Sequence, residues 1–264
     1  MSYSGSRTSE TTTLQFLRKM NSASRCSNSD RHRRRNKGRG PKIKQRTALV
    51  TGASRGIGRA VVERLKYYGA RTITPVRSEL DLLSNESIDR YLASLKGPVD
   101  ILVNNAGINK IAPYEAVTDD NLQETLQLNL IAPIRLARAL APRMAERAYG
   151  RIVNISSIWS IVSKGGRLPY SVSKSGLNGM TRTLAVEVAP FNVLVNGVAP
   201  GFVNTELTKQ NNSEQDLATI RGAIAMRRLA EPQEIAEVVS FLCSEKNSYV
   251  TGQIIVVDGG FSIQ

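Results

Sequence analysis

The sequence predicts an α/β fold with a doubly wound parallel sheet, built as one domain behind a basic amino-terminal tail. Three observations lead there. From Gln45 onward, short β-branched runs alternate with longer stretches of helical periodicity, the pattern of successive βαβ units. A glycine-rich turn, TGASRGIG over Thr51–Gly58, joins the first run to the first helical stretch. The length of 264 residues is enough to bury one sizeable core, and no repeat of 20–50 residues is evident.

The tail, residues 1–44, is set apart by charge. Residues 1–46 hold 13 Lys/Arg against 2 Asp/Glu, a net of +11, so of the formal +14 only +3 belongs to the other 218 residues. Rich in Ser, Thr, Asn and Arg, and reading RHRRRNKGRGPK over Arg31–Lys42, the tail has too little apolar surface to offset the entropy of ordering and is expected to be disordered. Its charge could meet nucleic acid or an anionic membrane; as an unstructured leader it would meet neither. No apolar run approaches the ~20 residues of a membrane-spanning helix, and the tail lacks the apolar segment of a secretory signal. The expected location is therefore cytoplasmic.

The domain, residues 45–264, opens with a strand at 47–51, TALVT, followed by helical periodicity at 57–68. A second strand is expected at 71–76, RTITPV. Only eight residues separate Val76 from Asn85, where the next helical stretch begins and runs to about 96. A parallel crossover with its helix needs ~10–12 residues or more, so the sheet should be truncated on that edge. Strands follow at 99–104, VDILVN, and 151–156, RIVNIS, with a long helical stretch at 119–147 between them. The remaining elements are a helix at 170–189, a strand at 193–198, a helix at 232–243 and a last strand at 254–257.

Cys26 and Cys243 are the only cysteines and His32 the only histidine. Neither a disulfide framework nor a metal centre is supported, and Cys243, inside an apolar helical pattern, reads as a small core hydrophobe. A Ser-His-Asp hydrolase is excluded, because the one histidine lies in the tail.

Three motifs carry chemistry. In TGASRGIG, glycines let the backbone turn sharply and approach a pyrophosphate, whose charge would meet the free N–H groups of the helix that follows. Gly52, Ser54, Arg55, Gly56, Ile57 and Gly58 are the candidate cofactor contacts. Alone, such a stretch is equally an ordinary tight turn; its place between strand and helix favours the binding role. NNAG, of which Asn104, Ala106 and Gly107 are candidate contacts, ends another strand, where ligands of doubly wound sheets sit; by itself it is as readily an Asn-Gly capping turn. Third, Tyr170 and Lys174 stand four apart at a helix start and share a face. A tyrosine titrates near ~10, and an adjacent ammonium is expected to lower that value toward a usable acid or base. Ser157 at a strand end could hydrogen-bond a substrate oxygen.

Together TGASRGIG, NNAG, Ser157 with Tyr170 and Lys174, Asn129 within LQLNL, and PGFVNT over Pro200–Thr205 resemble the short-chain dehydrogenase/reductase family, in the shorter branch of 3-oxoacyl-carrier-protein reductases. The resemblance spans about Arg46 to Phe261. It implies a Rossmann-type fold and an oxidoreductase acting on a small carbonyl or alcohol substrate. It also implies roles: Tyr170 protonates the carbonyl oxygen or deprotonates the alcohol, Ser157 holds that oxygen, and Lys174 tunes Tyr170 and binds the nicotinamide ribose. Asn129 would complete a tetrad by placing a water for proton relay to Lys174. Pro200, Gly201, Val203 and Thr205 fall where the family contacts the cofactor's carboxamide and phosphates, and Asp81 and Leu82 resemble a pair flanking the adenine.

Arg77, just past the second strand, and Arg55, in the glycine turn, favour NADP(H): an acid there would bind a ribose 2′-OH, an arginine a 2′-phosphate. Family members often carry basic residues at the positions of Ala148 and Phe191 when their partner is a carrier protein; their absence counts against that partner. Trp159 and Leu168 are candidates for an apolar substrate wall, and the polar stretch from Glu206 to Arg228 aligns with the family's substrate lid. The family's pairing of long helices implies a homo-oligomer, a dimer or tetramer. A dinucleotide sensor without turnover is opposed by the intact Asn129-Ser157-Tyr170-Lys174 set. A nucleic-acid-binding protein is opposed by the near-neutral domain.

Overall fold

The computed structural model describes Ile43 and residues 45–264. The expectations for the tail, including His32 and Cys26, lie outside these residues. Ile43 is the exception: its side chain is fully buried among residues of the first strand and the helices that cover it.

Among the described residues there are six strands: β1 (Thr47–Val50), β2 (Arg71–Ile73), β3 (Ile101–Asn104), β4 (Gly150–Ile155), β5 (Val193–Pro200) and β6 (Ile254–Val257). They form one parallel sheet in the order β2-β1-β3-β4-β5-β6. The α-helices among the described residues are α1 (Gly56–Tyr67), α2 (Asn85–Ser94), α3 (Asp119–Leu126), α4 (Ala132–Glu146), α5 (Leu168–Val188), α6 (Glu206–Gln210), α7 (Glu214–Ala223) and α8 (Pro232–Cys243).

Alternation along the strands sorts the core into two layers. Ala48 and Val50, Ile101 and Val103, and Val153 and Ile155 pack with α1 and α8; Leu49, Leu102 and Ile152 pack with α2, α4 and α5. Each fully buried Leu or Ile contributes about 1.5–3 kcal/mol by leaving water. Cys243 is one of these core residues, and burial pushes its thiol up to about 12, where it is inert.

The edge after β2 is truncated as expected. β2 stops at Ile73, three residues short of the expected end, because Pro75 has no N–H to give to a ladder. Residues 74–84 then turn directly to α2, whose N-terminus is capped by the Ser84 hydroxyl accepting from Ser87 N.

The helix expected at 119–147 is interrupted. Gln127–Ile131 forms a π-helical turn between α3 and α4. Pro133 supplies the reason: without an N–H and with a ring that would strike the carbonyl four residues back, it cannot continue an α-helical ladder from Asn129. The stretch from Glu206 to Arg228 was expected only as a polar lid. It holds α6 and α7, the latter started by a Ser213–Asp216 capping box and seated by buried Leu217 and Ile220.

Candidate active site

The strand order reverses direction beside β1, so the loops leaving β1 and β3 part at their carboxyl ends and leave a crevice. It is a cleft of about 690 Å³, lined by the glycine turn, residues 105–110, Ser157, Trp159, Arg167, Tyr170, Lys174 and residues 200–212 in part.

The glycine turn is built for close approach. Gly52 and Gly56 have φ of +64° and +54°, a region that disfavours side chains. A Cβ on Gly58 would stand 2.2 Å from Gly52 O, so α1 could not reach its position with any larger residue. No side chain caps α1 at Arg55 and no acid sits in its first turn, leaving its N-terminal dipole facing the cleft. Thr51 locks this turn to the loop after β3: its Oγ1 accepts from Asn105 N at 3.0 Å and Ala106 N at 3.1 Å.

That loop corrects one sequence assignment. Asn104 is the last strand residue, and its buried side chain turns into the sheet layer, where Nδ2 donates to Asn154 Oδ1 at 2.8 Å. Asn105, one residue on and therefore past the strand, lines the cleft in its place and donates to Gly52 O at 2.9 Å. Asp81 and Leu82 are likewise absent from the cleft wall. Asp81 Oδ1 accepts from Leu83 N, and Leu82 is buried in the core layer beneath. The direct turn from β2 into α2 draws both residues into the packing of α2.

At the inner end, β4 delivers Ser157 and the start of α5 delivers Tyr170 and Lys174. Ser157 Oγ accepts from Trp159 N at 3.2 Å; the turn is held to α5 by Ser156 Oγ donating to Asn178 Oδ1 at 2.7 Å. Lys174 is buried, and its Nζ donates to Ile155 O at 2.7 Å. That carbonyl helps keep the ammonium in place, yet burial lowers the amine from 10.5 to about 8.

The expected lowering of Tyr170 does not hold in the chain by itself. Burial pushes the phenol above its ordinary value, and the Ser157 hydroxyl and Arg167 guanidinium oppose that only in part. Lys174 Nζ is 5.7 Å from the ring centroid.

Asn129 is fully buried on the π-helical turn. Its Oδ1 accepts from Ile108 N at 2.9 Å, while Nδ2 donates to Ile108 O at 2.9 Å and Ser173 Oγ at 3.1 Å. The side chain therefore ties the Ile108 backbone to the start of α5, where Ser173 precedes Lys174.

Arg77 lines the outer part of the cleft, its side chain mostly exposed and its Nε 3.7 Å from Asp81 Oδ2. Arg55 Nη1 meets Glu206 Oε2 at 2.8 Å. Pro200, Gly201, Val203 and Thr205 line the cleft from the carboxyl end of β5, and Ile57 and Ser54 from the glycine turn. Trp159 is on the wall and packs edge-on against Phe202 and Phe261; Leu168 is half exposed and off it. Sequence reasoning passed over Arg167, although it stands three residues before Tyr170 in GGRLPY.

The family model described as Enoyl-(Acyl carrier protein) reductase matches residues 72–262. A 3-oxoacyl-(acyl-carrier-protein) reductase of Aquifex aeolicus is 38% identical over 244 residues, covering 83% of this chain and 98% of that one. A protein named dehydrogenase/reductase SDR family member 4, from Pongo abelii, is 35% identical over 83% of this chain and 88% of its own. Among solved structures, a gluconate 5-dehydrogenase from Burkholderia cenocepacia in complex with NADP and tartrate superposes with a TM-score of 0.77. It is 27% identical over 84% of this chain and 97% of its own. A 4-hydroxyisoleucine dehydrogenase complexed with NADH superposes with a TM-score of 0.79, at 29% identity over 83% and 99% of the two chains. The glycine turn, the β3 loop, the Ser157-Tyr170-Lys174 grouping and these matches agree: the chain belongs to the short-chain dehydrogenase/reductase family of oxidoreductases.

Proposed function

We propose that the protein is an NADP(H)-dependent oxidoreductase that interconverts a small carbonyl compound and its secondary alcohol, with Tyr170 as the proton-transfer group. The observation that carries this reading is the convergence of Ser157, Tyr170 and Lys174 at the inner end of a cleft whose outer end is the glycine turn. A dinucleotide fits that cleft on the chain's own terms. The positive-φ glycines and the uncapped start of α1 suit a pyrophosphate. Gly107, whose Cβ would stand 3.2 Å from Asn129 Oδ1 and 3.5 Å from Lys174 Nζ, keeps a side chain from crowding the lysine. When bound, the nicotinamide supplies or accepts the hydride.

The chain's residues do the rest. Ser157 orients the substrate oxygen toward the phenol. A phenol held above its ordinary value stays protonated at neutral pH, which suits donation to that oxygen during reduction. Lys174, mostly charged at neutral pH but near its titration point, is placed to hold the ribose and to resupply the proton. Asn129 positions Lys174 by holding the backbone of Ile108 and the hydroxyl of Ser173, the residue before the lysine.

NADP(H) preference rests on Arg77 and Arg55, both on the cleft wall, where either guanidinium could exchange its carboxylate partner for a 2′-phosphate. Fluorescence titration of NADPH and NADH against wild type, Arg77→Ala and Arg55→Ala tests this. Loss of one charged contact should weaken NADPH roughly tenfold or more and leave NADH nearly unchanged. Equal affinity of wild type for both cofactors would refute it.

The names of the bacterial relatives favour a second reading, reduction of 3-oxoacyl groups on a carrier protein. The positions of Ala148 and Phe191, where members acting on a carrier protein often carry basic residues, are uncharged here, and we rank this reading second. We further propose a homo-oligomer formed through the long helices.

A further inference from the structure

The cations on the cleft wall are Arg55, Arg77, Lys110, Lys174 and Arg167. Four of them have an oxygen partner within the protein: Glu206, Asp81, Glu124 and the Ile155 carbonyl respectively. Arg167 has none among the described residues. It is only 5% exposed, its Nε is buried without a hydrogen-bond partner, and its guanidinium carbon lies 5.2 Å over the Trp159 ring. A buried guanidinium that makes no ion pair is costly unless something supplies the missing acceptors.

The position of Arg167 is built. Gly166 adopts φ +77°, its carbonyl is held by Ala112 N at 3.1 Å, and Arg167 enters α5 as the residue before its first turn. The side chain is confined between the aromatic face and the phenol-bearing end of α5, three residues from Tyr170. It is the inner, substrate end of the cleft, apart from the glycine turn and Arg77 where a dinucleotide's phosphates would lie.

We infer that Arg167 is a specificity-determining residue that receives a carboxylate of the substrate, so that the preferred compounds are small oxo acids and their hydroxy acids. The planar guanidinium presents donors in the fork that fits a carboxylate, and stacking on Trp159 holds that fork in place. The carboxylate is unchanged in the reaction; the hydride goes to the carbonyl carbon and the Tyr170 proton to its oxygen. This inference rests on the proposed oxidoreductase reading of the cleft and narrows its substrate class.

The test pairs each acid with its neutral ester: acetoacetate with methyl acetoacetate, and levulinate with methyl levulinate. NADPH oxidation is followed with wild type, Arg167→Gln and Arg167→Lys. Wild type should favour the acids in kcat/KM. The acid-to-ester ratio should fall at least roughly tenfold in Arg167→Gln and recover in part in Arg167→Lys, the loss of a charged contact. The ratio cancels any general damage to the fold and any effect of Arg167 on Tyr170. An equal preference in wild type, or an unchanged ratio in Arg167→Gln, would overturn the inference.

A binding readout separates this from the parent reading. Trp159 is the only tryptophan of the chain, so its emission reports directly on the proposed site. With oxidised NADP present, so that turnover is blocked, acetoacetate should change that emission in wild type and not in Arg167→Gln, whereas the ester should not. If esters and neutral ketones are reduced but the acids neither react nor perturb Trp159, the carboxylate site falls and the oxidoreductase stands. If nothing is reduced, the proposed activity falls, and an acid-selective, Arg167-dependent response of Trp159 still upholds the anion site. A response to inorganic phosphate in place of acetoacetate would overturn the choice of carboxylate.

Discussion

At the scale of single residues, burial sets the protonation behaviour of the site more than neighbouring charge does. Tyr170 and Lys174 were expected to act as a pair in which the ammonium lowers the phenol. In the folded chain both groups are instead pushed toward their neutral forms by burial, the phenol upward and the amine downward to about 8. The lysine has a consequence for stability. Between about pH 8 and 10.5 the unfolded chain keeps a proton on Lys174 that the folded chain has released, so this group makes folding more favourable as pH rises through that window. The gain should be on the order of 2–4 kcal/mol across it. Chemical denaturation of wild type and Lys174→Met at pH 7.5 and at pH 10.5 checks this, with the wild-type advantage growing at the higher pH. A difference between the two proteins that is flat with pH would show that the amine is not desolvated.

At the scale of elements, the π-helical turn and α5 organise the site. The turn puts Asn129 where one side chain bridges the β3 loop and α5, and LIAP after Asn129 is its sequence signal: a proline four residues on cannot continue an α-helical ladder. α5 carries the reactive pair on its inner face and exposes apolar side chains on its outer face, Val172 at 48% and Val186 at 78%. Beside it, Leu122 on α3 and Ile131 on the π turn are also exposed. An apolar strip on adjoining long helices fits a two-fold partner of the same kind. Light scattering at micromolar concentration should therefore give two or four times the chain mass of 28.9 kDa, and Val186→Glu should lower it. A wild-type mass equal to one chain would refute the pairing.

At the scale of the whole molecule, the strand count, the order of elements and the truncated edge could be read from the sequence, because β-branched runs and the short Val76–Asn85 segment leave few ways to build a parallel sheet. Ser157, Tyr170 and Lys174 were readable as a constellation, and the structure does gather them. Asn104, Asp81 and Leu82 were misplaced because a motif shows residue types, whereas strand parity and the packing of α2 decide which side chains reach the cleft. Arg167 was missed because no motif marks an arginine as unpaired; only folding shows that Glu206, Asp81 and Glu124 pair with the exposed cations of the cleft wall while Arg167 has no acid partner among the described residues. These pieces meet in one claim, that a dinucleotide lies along the cleft and Tyr170 completes hydride transfer with a proton. The most direct measurement compares wild type and Tyr170→Phe in two assays on the same preparations, NADPH titration by fluorescence and steady-state reduction of a substrate that wild type accepts. NADPH affinity should be retained while turnover falls by ~10²–10⁴-fold, the share of catalysis carried by a general acid. Undiminished turnover in Tyr170→Phe, or no NADPH binding by wild type, would contradict the account.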